Sequence, residues 1–351
     1  MPDWTRGFER QTYEFFEVDP ATWRDLRPLR LVRSCRITRD ADSELLESAR
    51  FEVDEDVPGE AYWRAYMTWR QGSSSGRECM GTFLSQTPKA SYDGKAITRS
   101  VDAYSPLVEA SDRMPPVGRT FRAGATALGS AVALLSAHMR APVVSMGVGT
   151  ALTQPWTCSA KSSALEAACD LLAVEGMHLD VLPDGRVSLA PDASPAALSP
   201  AWTYDDGNSS ILLPDVTEEY DWYGVPNVVE VVWSSGSRTL VGKAVNDGEN
   251  PLSVASRGRE VLHRETSPTL PDDPTQDDAD MEAARLLAEL SSVERTVTYE
   301  HGYCPVRIGD SVLLDYSRHG LRARARVTKQ EIVLETGCIV RETATYTESL
   351  I

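Results

Sequence analysis

Residues 278–316, DADMEAARLLAELSSVERTVTYEHGYCPVRIGDSVLLDY, form the most regular pattern in the chain. Its first fifteen residues repeat alanine and leucine at helical spacing, and the aspartates at its start can cap free amides and favour the helix dipole. Alternating apolar segments follow, and Gly309-Asp310 marks a turn before an apolar strand. The pattern predicts a helix over 278–292 that leads into antiparallel strands.

The segments on either side of this stretch extend the β pattern. Residues 225–233 (VPNVVEVVW) alternate apolar positions, whereas 234–240 and 245–253 are rich in turn residues and are expected to be loops. Two further turns, at His319-Gly320 and Thr336-Gly337, divide the end of the chain into strands. We therefore expect a second β domain over residues 225–351.

The middle of the chain has a different composition and hydrophobic pattern. Proline-rich RMPPVGR (113–119) breaks the β pattern, and helical spacing then predicts helices within 121–140 and 162–175. Two alternating strands follow in 177–191 (MHLDVLPDGRVSLAP), around the turn Pro183-Asp184-Gly185-Arg186. Residues 113–224 are thus expected to form a small α+β insert with two helices and a hairpin.

The first third of the chain is predicted to be β. Its candidate strands are 29–39, 49–56, 60–70, 77–86 and 96–109, and 71–76 (QGSSSG) is expected to be a flexible loop. Short strands at this spacing favour a small barrel or sandwich. The prediction is an α+β chain that is mostly β, with two small β-barrel-like domains, 1–112 with an N-terminal arm and 225–351, separated by the insert 113–224.

Composition excludes several classes of function. The 351-residue chain carries a formal net charge of −17, a field that repels nucleic-acid phosphates and anionic membranes. No stretch approaches about 18 consecutive apolar residues, and the N-terminus lacks the basic start and apolar core of a signal peptide. We expect a folded protein that is neither secreted by a signal peptide nor inserted in a membrane.

Cysteine and histidine spacing gives little support for metal or redox chemistry. No two cysteines have the two-residue spacing of zinc or redox motifs, so all six are predicted to be reduced and mostly buried. His301 with Cys304 is the nearest approach to a metal or nucleophilic pair, but the sequence offers no third ligand. Phosphate-binding loops are absent. The sequence thus assigns no catalytic, cofactor-binding or metal-binding residue.

Carboxylates and aromatic residues form clusters that admit more than one interpretation. Acidic clusters are expected to be solvated faces, helix starts or a repulsive lining, although paired carboxylates could also hydrolyse glycosides or supply oxygen ligands for calcium. Aromatic clusters are expected in the core or at an interface, with carbohydrate or peptide binding as the alternative. The acidic clusters are Glu52, Asp54, Glu55 and Asp56; Glu218, Glu219 and Asp221; and Asp272, Asp273, Asp277, Asp278 and Asp280, and the aromatic ones are Tyr62, Trp63, Tyr66 and Trp69, then Tyr220, Trp222 and Tyr223.

The order of these segments resembles the baseplate hub family of phage tails and related injection machines. Residues 30–56 are similar to its opening strand pair around a Ser- and Asp-rich turn, 164–191 to its helix and hairpin, and 225–233 to the strand that enters its last barrel. The stretch 278–316 is the most specific match. Together these segments span most of residues 29–349.

The resemblance implies a homotrimer in which two β domains per chain occupy six quasi-equivalent places, matching a six-fold tail tube to a three-fold tip. It further implies a non-enzymatic structural protein at the virion tail tip, assembled in the host cytoplasm. Expected partners are the distal tail protein ring, the tape measure protein and a tail fibre or spike protein. Phage DNA would pass through the channel without specific binding. Because the chain ends soon after its last strand, lysin activity is not expected.

Three other functions remain open at this stage. A distal tail ring protein would be hexameric with one barrel per chain, which two separated β domains disfavour. A tail-associated cell-wall hydrolase would use an acidic pair and the aromatic clusters. A receptor-binding module would bind host cells as the isolated protein.

Overall fold

The computed structural model describes residues 2–193 and 197–349. Strands account for 47% of the protein and helices for 14%. The prediction of a mostly β protein of the α+β class is confirmed, although the sheets are not closed into barrels. Two compact units are present: a main unit, Met1–Asp215 with Tyr299–Thr343, and a second unit, Val216–Thr298 with Ala344–Ile351. The three-part division made from the sequence stays a prediction.

The strands and helices are numbered in chain order. The strands are β1 (Arg10–Asp19), β2 (Arg24–Pro28), β3 (Val32–Asp40), β4 (Glu47–Val53), β5 (Tyr62–Gln71), β6 (Ser74–Asp93), β7 (Ala96–Tyr104), β8 (Thr120–Phe121), β9 (Val143–Ser145), β10 (Trp156–Thr157), β11 (Met177–Val181), β12 (Val187–Pro191), β13 (Trp202–Asp205), β14 (Leu212–Tyr220), β15 (Val228–Ser235), β16 (Arg238–Val245), β17 (Leu262–Glu265), β18 (Ser292–Gly302), β19 (Ser311–Tyr316), β20 (Leu321–Val333) and β21 (Ile339–Ser349). The helices are α1 (Val108–Ser111), α2 (Ala127–His138), α3 (Ala164–Ala173), α4 (Val254–Arg257) and α5 (Gln276–Leu290), with a 3-10 turn at Ser317–His319.

A large sheet carries most of the main unit. Its strand order runs β20-β3-β4-β7-β6-β5-β1-β2, with β19 beside β20 and β13 parallel to β19. Alternate residues of β3 and β4 point inward, so that Ile37 and Phe51 are fully buried. Phe51 packs edge-on against Trp63 and Phe83, with ring centroids 5.1 and 6.2 Å away. This aromatic core explains why the predicted strands form.

The α+β segment has its own core within the main unit. Thr126 caps α2, and a reciprocal capping box of Ser163 and Glu166 begins α3, close to where the sequence predicts both helices. The predicted hairpin is confirmed as β11 and β12, and β9 adds a parallel strand. Leucines and alanines of both helices pack with Val181, Val187 and Leu189 of the hairpin.

The second unit is a small sheet covered by α5. β15 pairs antiparallel with β16 and parallel with β17. Val229 and Val231 of β15 pack against Ala283 and Leu287 of α5. The backbone of α5 passes so close to Gly242 that an added Cβ atom would lie 2.1 Å from the Ala279 carbonyl oxygen. Only glycine fits this position.

Several local predictions were wrong. Residues 71–76 are not a flexible loop, because Gln71 pairs with Ser74 across a two-residue turn that uses Gly72 at φ +60°. The expected loop 234–240 contains the start of β16 at Arg238. β1 and β2 lie in a region for which the sequence analysis proposed no strand; the aromatic and β-branched residues of TYEFFEV in β1 were the available signal.

Candidate functional site

His301 and Cys304 lie together in the interior of the main unit. The Nε2 atom of His301 is 3.1 Å from the Tyr204 hydroxyl and 3.5 Å from the Glu342 carboxylate, and its Nδ1 atom is 2.8 Å from the Gly302 carbonyl oxygen. The Cys304 sulfur is 3.3 Å from the same Tyr204 hydroxyl. His301 is fully buried, and Cys304 is 2% exposed. The sequence identified two members of this cluster but not Tyr204 or Glu342.

Electrostatics favour the protonated form of this buried histidine. Burial alone opposes protonation, but hydrogen bonding to Cys304 and Glu342 and the negative charge of the Glu342 carboxylate outweigh it and raise the pKa of His301 to about 10. The imidazolium is then the countercharge of Glu342, which also accepts hydrogen bonds from Tyr299 and Gln330. A catalytic nucleophile must reach its substrate, whereas these groups are sealed inside the fold. The cluster is therefore a structural one.

The polar cluster continues toward β3 and β4. Gln330 accepts a hydrogen bond of 3.0 Å from Arg39, whose guanidinium also donates to the Met80 carbonyl at 2.8 Å and pairs with Glu47 at 3.0 Å. Glu47 in turn pairs with Arg307. Arg39 and Glu47 are almost completely buried. This series of hydrogen bonds and ion pairs fixes the register of strands from distant parts of the sequence, because a shift in register would leave a buried charge without its partner.

The turn of the predicted hairpin is a second point where distant segments meet. Trp23 and Arg64 donate to the Asp184 carbonyl oxygen at 2.7 and 2.8 Å, and Thr82 donates to the Pro183 carbonyl at 3.1 Å. Gly185 has φ +78°, and a Cβ atom there would lie 2.8 Å from Thr82. The turn therefore seats the α+β segment on β5 and β6.

The acidic clusters contribute to ion pairs and a helix start. Asp56 pairs with Arg99 at 2.8 Å, and Glu218 pairs with Arg295 at 3.1 Å. Asp278 completes a capping box at the start of α5, as the sequence predicts for this cluster. Within residues 2–193 and 197–349, no three His, Cys, Asp or Glu side chains form a group that could hold a metal ion.

The two aromatic clusters have different environments. Tyr62, Trp63 and Trp69 on β5 are buried, which confirms the core interpretation for them. In contrast, Trp222 is 47% exposed and Tyr223 is 94% exposed. The second cluster is therefore an exposed surface of the second unit.

The six cysteines are free, as predicted. Four are buried, Cys79 is half-buried and Cys169 is exposed. Over residues 2–193 and 197–349, none of the helices has both the length and the apolar character needed to cross a membrane.

One exposed feature was missed by the sequence analysis. β6 and β7 extend beyond the rest of the sheet as a hairpin, and all residues from Thr87 to Thr98 are exposed. The sequence placed strands at 77–86 and 96–109 without joining them. The Asp93-Gly94 dipeptide at the turn was the signal that could have found the hairpin.

The arrangement of strands and helices in this chain is similar to that of solved phage tail proteins. The fold resembles the tail protein of Neisseria meningitidis with a TM-score of 0.62 at 13% identity, over 95% of this chain and 97% of that one. The 43 kDa tail protein of prophage MuSo2 from Shewanella oneidensis gives a TM-score of 0.62 at 12% identity, again over 95% and 97%.

A chain of the Francisella PdpA–VgrG complex is also similar, with a TM-score of 0.57 at 7% identity, over 96% of this chain and 53% of that one. No protein-family model matches the sequence, and no curated protein matches it either. The similarity to phage tail proteins inferred from the sequence is thus confirmed at the level of the fold.

Proposed function

We propose that the protein is a structural component of a phage tail, and specifically the baseplate hub that adapts a six-fold tail tube to a three-fold tip. The observation that carries this proposal is the match to two phage tail proteins over almost the whole of all three chains. Because the match covers 95% of this chain, it includes the α+β segment and is not limited to one common module.

The chemistry of the interior supports a non-enzymatic role. The His301–Cys304 pair is enclosed and held by a carboxylate, so it offers neither an accessible nucleophile nor an open ligand position. The projecting hairpin and the exposed aromatic cluster instead offer surfaces for association. We propose a homotrimer at the tail tip, with a distal tail protein ring, a tape measure protein and a fibre or spike protein as partners.

The charge supports a passage for DNA. DNA carries about one negative charge per 1.7 Å, so a channel wall of the same sign would let it slide without binding. The chain's net charge of −17 has that sign. Changing channel-facing acids to lysine should slow genome ejection while particles still assemble, and an unchanged ejection rate would contradict this part of the proposal.

The deciding experiment is antibody-gold labelling of intact source particles, viewed by negative-stain electron microscopy. Label confined to the tail tip, with three-fold symmetry in averaged images, is the expected result. Six-fold density at the label would indicate the distal ring, and absence of label on accessible tips would reject a tail-tip role. Isolated tails give a control for access of the antibody to the tip.

A further inference from the structure

The hairpin of Thr87–Thr98, here named the docking arm, has two strands that pair with each other beyond the rest of the sheet. Tyr92 lies opposite Ile97, whereas β5 pairs with β6 only up to Leu84. Pairing of β4 with β7 likewise ends at Arg99. An isolated two-stranded ribbon is marginally stable in water. A partner that covers the arm would therefore stabilise it.

The surface of the arm combines apolar and basic groups. Tyr92 is 75% exposed and Ile97 is 47% exposed, and their cross-strand positions place both on one face. Two of the chain's five lysines, Lys89 and Lys95, lie on the arm, and Asp93 is its one acidic residue. The arm thus carries a net charge of +1 on a chain of net charge −17. This sign favours an acidic partner.

The second unit presents a surface of complementary chemistry at Glu218–Tyr223, which comprises the end of β14 and the loop after it and is here named the aromatic loop. Residues 216–298 hold 16 acidic and 7 basic residues, a net charge of −9. Within the loop, Glu219 and Asp221 are exposed beside Trp222 and Tyr223.

The aromatic loop is held in place by its surroundings. Arg257 donates to the carbonyl oxygens of Trp222 and Val225, both at 2.8 Å. The Arg295 guanidinium lies 4.2 Å from the centre of the Tyr220 ring. A surface that is already ordered loses little conformational entropy on binding.

We propose that the docking arm of one copy binds the aromatic loop of a second copy. Lys89 and Lys95 then face the carboxylates of Glu219 and Asp221 and the faces of the exposed rings, where cations are attracted to the π-systems. The contact covers Tyr92 and Ile97 with aromatic side chains, the residue class enriched at interfaces.

The two surfaces differ, so the contact is head-to-tail, and repetition by a closing rotation yields a ring of copies. This inference rests on the proposed self-assembly of the tail component and identifies the surfaces that perform it.

A zero-length carbodiimide cross-link is the direct test, because it joins a lysine to a carboxylate in contact. An equal mixture of ¹⁵N-labelled and unlabelled full-length protein is treated at its highest soluble concentration and analysed by mass spectrometry. We expect isotopically mixed peptides that join Lys89 or Lys95 to Glu219 or Asp221. Mixed cross-links dominated by Lys161, an exposed lysine elsewhere, would overturn the proposal, as would a purely monomeric protein.

Sedimentation velocity of charge variants tests how strongly the copies associate. K89E/K95E should weaken association about tenfold or more, and adding E219K/D221K should restore it at the native net charge. Because Asp221 also accepts the Tyr223 backbone N–H at 2.8 Å, circular dichroism must show that each variant folds. K89Q/K95Q is compared with the control K161E, because each lowers the net charge by two. Weaker association in K89Q/K95Q than in K161E then reports the position of the lysines on the docking arm and not the net charge.

Failure of the fourfold variant to recover association would overturn the arm–loop contact. Particles carrying K89E/K95E that still show the chain at the three-fold tip would also refute this contact while leaving the hub proposal intact. Absence of the wild-type chain from the tip would instead reject the hub proposal.

Discussion

Replacing Glu342 with glutamine tests the buried cluster at its centre. In the native protein the Glu342 carboxylate accepts from Tyr299 and Gln330 and faces the His301 imidazolium at 3.5 Å. The amide removes the negative charge and turns an N–H₂ group toward at least one of these donors. Removing one partner of a buried charge pair costs about 3–5 kcal/mol, and we expect the E342Q variant to lose free energy of unfolding in this range.

The pH dependence supplies an independent signature. His301 has a folded-state pKa of about 10, above its ordinary value near 6.5, so its contribution to stability is complete below the unfolded pKa. As pH rises from about 6.5 to about 10, unfolding releases a proton, and this site lowers the free energy of unfolding by up to about 1.4 kcal/mol per pH unit. In E342Q the pKa of His301 should fall, and this slope should shrink or vanish.

Urea unfolding at pH 6 and pH 9, followed by tryptophan fluorescence, measures both effects, because six of the eight tryptophans belong to the main unit. Ring ¹³C shifts of His301 report its protonation directly. E331Q is the matched control, since it removes one carboxylate from the solvent-exposed pair between Glu331 of β20 and Arg36 of β3 and should cost about 1 kcal/mol at most. An E342Q variant as stable as the wild type, or a native His301 that titrates near pH 6.5, would refute the argument.

Two glycine substitutions test close packing elsewhere. G242A should destabilise the second unit by about 3 kcal/mol or more, because the new methyl group would collide with the Ala279 carbonyl of α5; circular dichroism during urea unfolding measures this, and a loss no larger than in G59A, at a glycine with open space around it, would count against it. G185A should cost about 2–3 kcal/mol, because it combines φ +78° with contact to Thr82; hydrogen exchange should quicken in β11 and β12, and unchanged protection there would show that the turn does not hold this segment.

Much of the fold could be predicted from the sequence because its signals are local. The helix α5 begins where Thr275 and Asp278 form a capping box, one turn ahead of an apolar stripe. The Asp184-Gly185 turn set the register of β11 and β12 in the same way. These elements depend on residues within a few positions of each other.

The buried cluster could not be predicted, because its partners are far apart in sequence. Arg39 and Gln330 stand 291 positions apart, and charged residues at alternate strand positions ordinarily indicate a solvent-facing side. Only the three-dimensional pairing shows that these side chains point inward. His301 and Cys304 were noticed because they are close in sequence, but their environment depends on Tyr204 and Glu342.

The pairing of β3 with β20 has a consequence for synthesis of the protein. Asp40 finds its strand partner in Lys329, near the end of the chain. During translation, one side of β3 therefore stays open until the ribosome has made β20, and contacts of such sequence separation form slowly. A nascent or truncated chain exposes that edge to other strands, where it can aggregate. Synthesis of β20, rather than emergence of the first strands, is thus the step at which the main unit can close.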